Sequence, residues 1–222
     1  MPVEPAPTRW VFPDPAQAGP DDVVAIGADL EPGTLLAAYR TGLFPMHLPD
    51  GGPLAGWSPV NRGIIPIDGL RISRSLRRSI RRFEWSVDEA FEDVVAGCAV
   101  PSRPHGWITA DITEAYAELH RLGHAHSIEV WDADRLVGGL YGVNIGGLFA
   151  GESMFFRVAD ASKVALVRLV EVMATTSEPL IDTQWQTDHL ASLGGIEIRR
   201  EDYLSRLAVA IASSIPEAFA GG

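Results

Sequence analysis

Residues 127–156 read SIEVWDADRLVGGLYGVNIGGLFAGESMFF, and this stretch decides the fold. Its three runs of β-branched, aromatic and other apolar residues are separated by DAD and NIGG, which are typical of turns. The pattern predicts three consecutive antiparallel strands. A helix is predicted to follow from Ser162, in SKVALVRLVEVMA, and PLIDTQW (179–185) predicts the next strand. Helices around a mostly antiparallel sheet indicate an α+β domain.

The chain before this meander changes character near residue 60. The first sixty or so residues are rich in Pro and Gly, with one short helix predicted in PGTLLAAYRTG (32–42). Further on, WSVDEAFEDVVAGC (85–98) predicts a helix that opens with Ser86 and Glu89 in capping-box spacing. We therefore expect a small N-terminal domain over residues 1–62 and a second domain over residues 63–222.

Composition limits the class of protein. With 222 residues and 46% hydrophobic content, the chain is long enough to bury a sizeable core. No apolar run approaches the ~20 residues that span a bilayer, and the Pro-rich N-terminal residues lack the charged and apolar regions typical of a signal peptide, so we expect a soluble, cytoplasmic protein. The single cysteine, Cys98, excludes an intramolecular disulfide and a cysteine-based metal cluster. His124 and His126 lack further ligands at suitable spacing, so we expect no metal site.

Charge is distributed unevenly along the chain. The net charge of −11 argues against a nucleic-acid partner, but six of the 18 basic residues fall in RISRSLRRSIRR, residues 71–82. As a helix, this stretch has an apolar stripe and an opposite half that carries arginines and no acidic residue. Six like charges repel one another unless a polyanion neutralises them, which favours phosphate binding over a merely solvated face or a membrane-surface helix. The candidate nucleic-acid contacts are Arg71, Arg74, Arg77, Arg78, Arg81 and Arg82.

Polar side chains interrupt two of the predicted central strands. In PLIDTQW, strand alternation places Asp182 and Gln184 on one face, and Glu152 lies in the third strand of the meander. Taken singly, each is explained as a buried group that satisfies its neighbours. Three of them in adjacent elements of one sheet favour a cleft. The chain has no nucleotide-binding glycine loop and no nucleophile elbow.

A set of blocks gives these observations a context. GADLEPGTLLAAYRTGLFPM, GWSPVNRG, ISRSLRR, GWIT, LGHAHSIEVW, LVGGLYGV, LFAGESMF with ASKVAL, and LIDTQ with HLASLGG occur in the order and spacing of one family. Over residues 11 to 210 or so, the chain resembles the bacterial leucyl/phenylalanyl-tRNA–protein transferases. The resemblance implies transfer of Leu or Phe, and less well Met, from aminoacyl-tRNA to an N-terminal Arg or Lys of a protein, which marks that protein for degradation by the N-degron pathway. It also implies an acetyltransferase-like (GNAT-like) second domain and no cofactor.

The resemblance also assigns roles to individual residues. It carries the general base onto Asp182, relayed through Gln184, with Glu152 as a further polar contact to the substrates. Trp107 matches a tryptophan beside the terminal adenosine of the tRNA, and Trp57 either serves nearby or is a buried plug. Met46 stands where the best-known members carry Trp, so adenine packing should be weaker here. The residues matching the pocket for the transferred side chain are Leu140, Phe149, Leu166, Met173 and Ile181.

Two other classes of function stay open. An acyl-CoA-dependent N-acetyltransferase of the same superfamily would need a glycine-rich pyrophosphate turn, which RVADASKVAL (157–166) does not offer. A tRNA-binding protein without activity would not need all of Glu152, Asp182 and Gln184.

Overall fold

The computed structural model describes residues 1–99 and 108–221. Within these ranges, strands form a three-stranded sheet, here the small sheet, and a seven-stranded sheet, here the large sheet. The strands are β1 (Val23–Ile26), β2 (Phe44–His47), β3 (Leu54–Trp57), β4 (Asn61–Ile65), β5 (Glu84–Val87), β6 (Ala125–Asp132), β7 (Arg135–Ile145), β8 (Leu148–Phe156), β9 (Leu180–Gln184) and β10 (Ile196–Arg199). The α-helices are α1 (Pro32–Arg40), α2 (Arg74–Arg82), α3 (Phe91–Cys98), α4 (Ala110–Arg121), α5 (Ala161–Met173), α6 (Asp188–Ser192) and α7 (Arg200–Ala210).

The large sheet has the order β10-β4-β9-β8-β7-β6-β5. Its pairs are antiparallel except β8 with β9, which is parallel. A parallel pair needs a long crossover, and α5 supplies it while packing on the sheet. The predicted meander, the helix that follows it and the mixed α+β class are confirmed.

Both faces of the large sheet are covered, and each face has its own core. On one face, α5 and the apolar stripe of α2 pack against residues such as Val130 and Leu140. On the other, α3 and α4 pack against residues such as Val143 and Phe155, and α1 extends this core toward the small sheet. The polar groups of the central strands therefore lie between layers of helices.

The small sheet has the order β1-β3-β2 and is packed against α1. This helix begins at Pro32 and ends before Gly42, whose φ of +87° lies in the left-handed region that favours glycine, as its sequence predicts. The first strand of the large sheet along the chain, β4, begins at Asn61. The division expected at residue 62 thus falls within β4, and the two-domain organisation stays a prediction.

The helix expected to open at Ser86 begins later. Residues Glu84–Val87 form β5 and pair with β6, and α3 begins at Phe91. The Ser86 hydroxyl donates to Glu129 Oε2 at 2.6 Å across the strand pair instead of capping a helix. The capping-box prediction was wrong because pairing with β6 satisfies this backbone and suits its aromatic and β-branched residues.

None of the helices in the described part of the chain combines the length and the apolar character that a bilayer crossing requires.

Candidate active site

A cavity opens where two central strands separate. Strands β8 and β9 pair from Leu148 with Leu180 to Ala150 with Asp182, and their pairing ends there. Beyond that point lies a space of about 580 Å³, here the central cavity, which is within the size range of small-molecule sites. The cavity is lined by β7, β8 and β9 of the large sheet, by α5 and the α6 region, and by β2 of the small sheet. The lining residues are Phe44, Pro45, Met46, Leu140, Gly151, Glu152, Ser153, Met154, Leu166, Leu169, Ile181, Thr183, Gln184, Trp185, Thr187, His189 and Leu190.

The predicted pocket residues divide into two groups. Met46, Leu140, Leu166 and Ile181 line the central cavity, together with Leu169, which the sequence reasoning missed.

Phe149 and Met173 are fully buried and do not line the central cavity, contrary to expectation. The Phe149 ring fills the space over Gly142, where a Cβ atom would lie 2.6 Å from its Cε1, and its centroid lies 5.7 Å from that of Phe219. Both side chains therefore belong to the packed core.

Of the tryptophans expected near the terminal adenosine, neither is seen in the cavity wall, for different reasons. Trp57 does not line the cavity: its indole N–H donates to the Met46 carbonyl at 2.9 Å, and its ring packs edge-on against Trp185 at 5.4 Å. It supports the wall from behind, as the plug alternative predicts. Trp185 lines the cavity, and its indole N–H donates to Asp22 at 2.9 Å. Trp107 lies outside the described residues.

Strand alternation fails at the end of β9. Gln184 has φ +58°, in the left-handed region that side chains other than glycine rarely adopt, and the pairing with β4 shifts register here. Gly63 on β4 accommodates the turn, because a Cβ atom there would lie only 2.8 Å from Thr183 Oγ1. Gln184 consequently lines the central cavity next to Thr183, whereas Asp182 does not. The prediction that Asp182 and Gln184 share one face is wrong for this reason.

Asp182 is fully buried and saturated with hydrogen bonds. Arg62 donates from Nε to Oδ1 at 2.8 Å and from Nη2 to Oδ2 at 2.5 Å. The Tyr203 hydroxyl donates to Oδ2 and the Gln184 backbone N–H to Oδ1, each at 2.9 Å. An ion pair and two further donors thus surround this carboxylate. Its contacts hold the turn at Gln184 and join β9 to β4 and α7.

The cation of this pair is also buried. Arg62 is 1% exposed, donates from Nη1 to the Gly42 carbonyl at 3.2 Å and stacks on Tyr203 and Phe44. Burial, the largest single effect, lowers the pKa of Arg62, but the attraction and hydrogen bonds of Asp182 together with Tyr203 and Tyr39 raise that pKa above its usual value. The buried charges of Arg62 and Asp182 therefore neutralise each other.

Glu152 is the carboxyl group that faces the central cavity. Tyr39 donates to its Oε1 at 2.7 Å, Tyr116 to its Oε2 at 3.0 Å, and Gln184 Nε2 to its Oε1 at 3.3 Å. Burial raises the pKa of Glu152 to about 7, against the opposing effect of the hydrogen bonds from the two tyrosines. A carboxyl group that titrates near neutral pH in a largely apolar cavity suits general acid–base chemistry.

The arginine helix, α2, lies on the surface beside α5. Its apolar residue Leu76 is buried against the core, and the arginines are exposed, as predicted. Arg82 pairs with Asp132 at 2.6 Å. No acidic group of the described residues lies within ion-pair distance of the other arginines of the set: Arg71, Arg74, Arg77, Arg78 and Arg81.

The segment that leads into this helix contacts the chain just after α6, which forms part of the cavity wall. The Arg71 backbone N–H donates to the Leu193 carbonyl at 2.9 Å, immediately after α6, which supplies His189 to the cavity wall. Partial burial and the nearby charge of Lys163 lower the pKa of His189. The lowered pKa favours the neutral form of His189, so the positive charge on this side of the cavity belongs to the arginines.

Comparison with known proteins identifies the family of the chain that carries this site. The sequence model "Leucyl/phenylalanyl-tRNA protein transferase" matches residues 64–208, and the model of that family's N-terminal domain matches residues 28–60. The chain belongs to this family. A leucyl/phenylalanyl-tRNA–protein transferase of Anaeromyxobacter dehalogenans is 48% identical over 216 residues, which cover 95% of this chain and 92% of the relative. One of Tolumonas auensis is 46% identical over 211 residues, which cover 92% and 90%.

Membership of the leucyl/phenylalanyl-tRNA–protein transferase family makes the chain an aminoacyltransferase. Among solved structures, that of L-PGS from Bacillus licheniformis aligns with a TM-score of 0.39 and 12% identity, over 73% of this chain and 55% of that chain. A likeness at that level carries no argument about the fold.

Several site residues of this transferase were not found by sequence reasoning. Tyr39 and Tyr116 lie on the apolar faces of α1 and α4, where the pattern indicates core packing only. Arg62 offers a signal, because a charged residue in the apolar run of β4 needs a buried partner. His189 and Thr183 carry no such signal.

Proposed function

We propose that the protein transfers leucine or phenylalanine, and methionine less well, from aminoacyl-tRNA to the N-terminal arginine or lysine of acceptor proteins. By analogy with its family, the product would be a substrate of the N-degron degradation pathway. The observation that carries the proposal is an apolar cavity that contains one recessed carboxyl group and is lined by α6, whose end contacts the arginine-rich segment at Arg71.

The proposed reaction needs little more than positioning and proton transfer. The acyl group of aminoacyl-tRNA is an ester and is already activated. The acceptor amine forms the amide bond to the acyl carbon while the bond between that carbon and the ribose oxygen breaks. One proton leaves the nitrogen and one proton reaches the ribose oxygen, so a single carboxyl group can take the first and deliver it as the second. No cofactor is required for this step.

Glu152 is the group that we assign to this proton transfer. It lines the central cavity and titrates near pH 7, whereas Asp182 is sealed behind it and bound to Arg62. Gln184 orients Glu152 through its side-chain amide, and Asp182 fixes Gln184 through its backbone N–H. The direct base role of Asp182 stays a prediction.

The apolar wall of the cavity suits the transferred side chain. Leu140, Leu166 and Ile181 face it from three different elements, and burial of a Leu or Phe side chain contributes about 1.5–3 kcal/mol. A difference of one methylene changes binding by about 1–3 kcal/mol. Discrimination against Met, Ile and Val should therefore be graded.

The arginine helix is proposed to hold the body of the tRNA. Its unpaired arginines begin beside α6, so a strand of phosphates on them would lead the 3′ end toward the cavity. Met46 and Trp185 then present an apolar surface to the terminal adenosine. Trp107 is proposed to contribute from the neighbouring segment.

Assignments of fold, location and partners accompany this proposal. The large sheet, with a meander and a parallel β8–β9 pair that separates at the site, is proposed to be an acetyltransferase-like (GNAT-like) domain that follows a small N-terminal domain. The proposed location is the cytoplasm, where aminoacyl-tRNA is available. No membrane partner is proposed.

The decisive experiment supplies both substrates at once. Labelled Leu-tRNA is incubated with the protein and a peptide that begins with Arg, and label in the peptide is measured. Matched controls use the same peptide with an acetylated N-terminus, a peptide that begins with Asp, and labelled acetyl-CoA as donor. Transfer from Leu-tRNA to the free Arg N-terminus alone supports the proposal, and absence of that transfer, or transfer from acetyl-CoA, contradicts it.

A further inference from the structure

Three side chains behind the central cavity form a closed ring of oxygen contacts. Tyr39 Oη lies 2.5 Å from Tyr116 Oη and 2.7 Å from Glu152 Oε1, and Tyr116 Oη lies 3.0 Å from Glu152 Oε2. The three residues come from α1, α4 and β8, so the ring joins three elements. Each contact is within hydrogen-bond distance and therefore needs a hydrogen atom between its two oxygens.

The number of hydrogen atoms depends on the state of Glu152. Each phenol supplies one hydrogen, and an ionised carboxylate supplies none, which leaves two hydrogens for three contacts. A neutral Glu152 supplies the third, and every contact is then satisfied: Glu152 donates to Tyr116, Tyr116 to Tyr39, and Tyr39 to Glu152. When Glu152 is ionised, both phenols can instead donate to the carboxylate.

We propose that Tyr39 and Tyr116 are positioning residues of the transfer reaction, whose two hydroxyl hydrogens reorient each time Glu152 gains or loses a proton. This inference rests on the proposed function for its meaning, although the hydrogen count does not. The phenols keep their own protons throughout, because burial, followed by the charge of Glu152, raises the pKa of both well above its usual value. They therefore act through Glu152 and do not exchange protons with substrate.

The reorientation lets one carboxyl group serve in both directions. With both phenols donating, the carboxylate is stabilised enough to exist in a buried place and to accept the proton of the amine. With the closed ring, the neutral acid is stabilised until it delivers that proton to the ribose oxygen. Without the phenols, burial would hold Glu152 in its neutral form over a wider pH range.

Other charged groups around Glu152 also shift its pKa. Asp182 on β9 raises its pKa by repulsion, and Arg62 on β4 lowers it. Burial raises the pKa of Tyr141 on β7 well above its usual value, and the charges of Glu152 and of Cys98 on α3 raise it further. The Tyr141 hydroxyl has no hydrogen-bond partner among the described residues, so it is close to the ring without belonging to it.

The test follows the protonation of Glu152 directly in the substrate-free protein. Difference infrared spectroscopy is used to titrate the carbonyl band of the protonated carboxyl, which is assigned by its loss in Glu152→Gln. In Tyr39→Phe and in Tyr116→Phe, the midpoint of this titration should rise by about one pH unit, because each change removes a donor to the carboxylate. The low-pH limb of the transfer rate should move upward by a similar amount.

Tyr141→Phe is the matched control, because it removes an equally buried phenol that makes no hydrogen bond to Glu152. Its midpoint should equal that of the wild type. Equal midpoints in the wild type and both ring variants would overturn the proposal, as would a Glu152 band that titrates in the ordinary glutamate range. The infrared titration does not use tRNA, so failure of the wild type to transfer leucine would count against the proposed function and leave the result on the ring intact.

Discussion

Replacing Asp182 with Asn distinguishes a role as structural anchor for Arg62 and Gln184 from a role as general base. An amide at this position keeps one acceptor oxygen and turns an NH₂ group toward donors: Arg62 and Tyr203 on one side, or Arg62 and the Gln184 backbone on the other. Arg62 would be left as an uncompensated charge at 1% exposure. Removal of one partner from a buried pair costs about 3–5 kcal/mol of folding stability. In a chain of this size, the melting temperature should fall by about 6–20 °C.

The measurement pairs urea unfolding, followed by tryptophan fluorescence, with single-turnover transfer below the unfolding transition. If Asp182 is an anchor, stability should fall by the stated amount, and adding Arg62→Met should recover part of it because the unpaired charge is gone. If Asp182 is instead the general base, its replacement should lower turnover without a matching loss of stability. An Asp182→Asn protein as stable as the wild type that has lost turnover while still binding aminoacyl-tRNA would refute the anchor role.

Three further results are expected. Burial raises the pKa of Glu152 from 4.5 to about 7, so the folded state holds a proton that the unfolded chain releases; this group should lower stability by at most about 3–4 kcal/mol as pH rises through this range, and Glu152→Gln should remove that contribution from the slope in urea titrations at several pH values. Leu166→Ala should change the ratio of kcat/KM for Leu-tRNA and Phe-tRNA by about tenfold or more, whereas Met173→Ala should lower stability by about 2–5 kcal/mol and leave that ratio unchanged. Replacing three unpaired arginines with Ala should reduce the slope of log K for tRNA against log salt by about 2–3, and a triple variant with the wild-type slope would remove the helix from the tRNA site. The arginines replaced are Arg74, Arg77 and Arg78, with Arg82→Ala as the smaller-effect control because Asp132 already neutralises Arg82.

Much of the fold follows from periodicity in the sequence. The meander, α5 and the strand that carries Asp182 were predicted because apolar residues alternate or recur at helical spacing over lengths that tertiary contacts do not override. The helix start at Ser86 was predicted wrongly because a capping box is a local pattern, whereas this backbone is fixed by its pairing with β6, about forty residues further along the chain.

The site was predicted less completely, for reasons of geometry. Glu152 and Gln184 were predicted together and do meet, but the left-handed backbone at Gln184 turns this side chain to the cavity, whereas Asp182 does not line it. No single-sequence pattern shows such a dihedral angle. Likewise, the separation of β8 from β9 decides that Leu166 reaches the cavity and Met173, two turns along the same helix, does not.

The backbone at Gln184 restricts which amino acids can replace it. Glycine would adopt φ +58° without strain, yet it would remove the amide that contacts Glu152. Asparagine tolerates this conformation better than most residues, but its side chain is one methylene shorter, and the existing contact is already 3.3 Å long. Glutamine is long enough to reach Glu152, but its left-handed backbone is strained. The hydrogen bond from its backbone N–H to the buried Asp182 offsets that strain. Variation at this position is therefore expected to be narrower than at any apolar wall of the cavity, where several side chains of similar volume would serve.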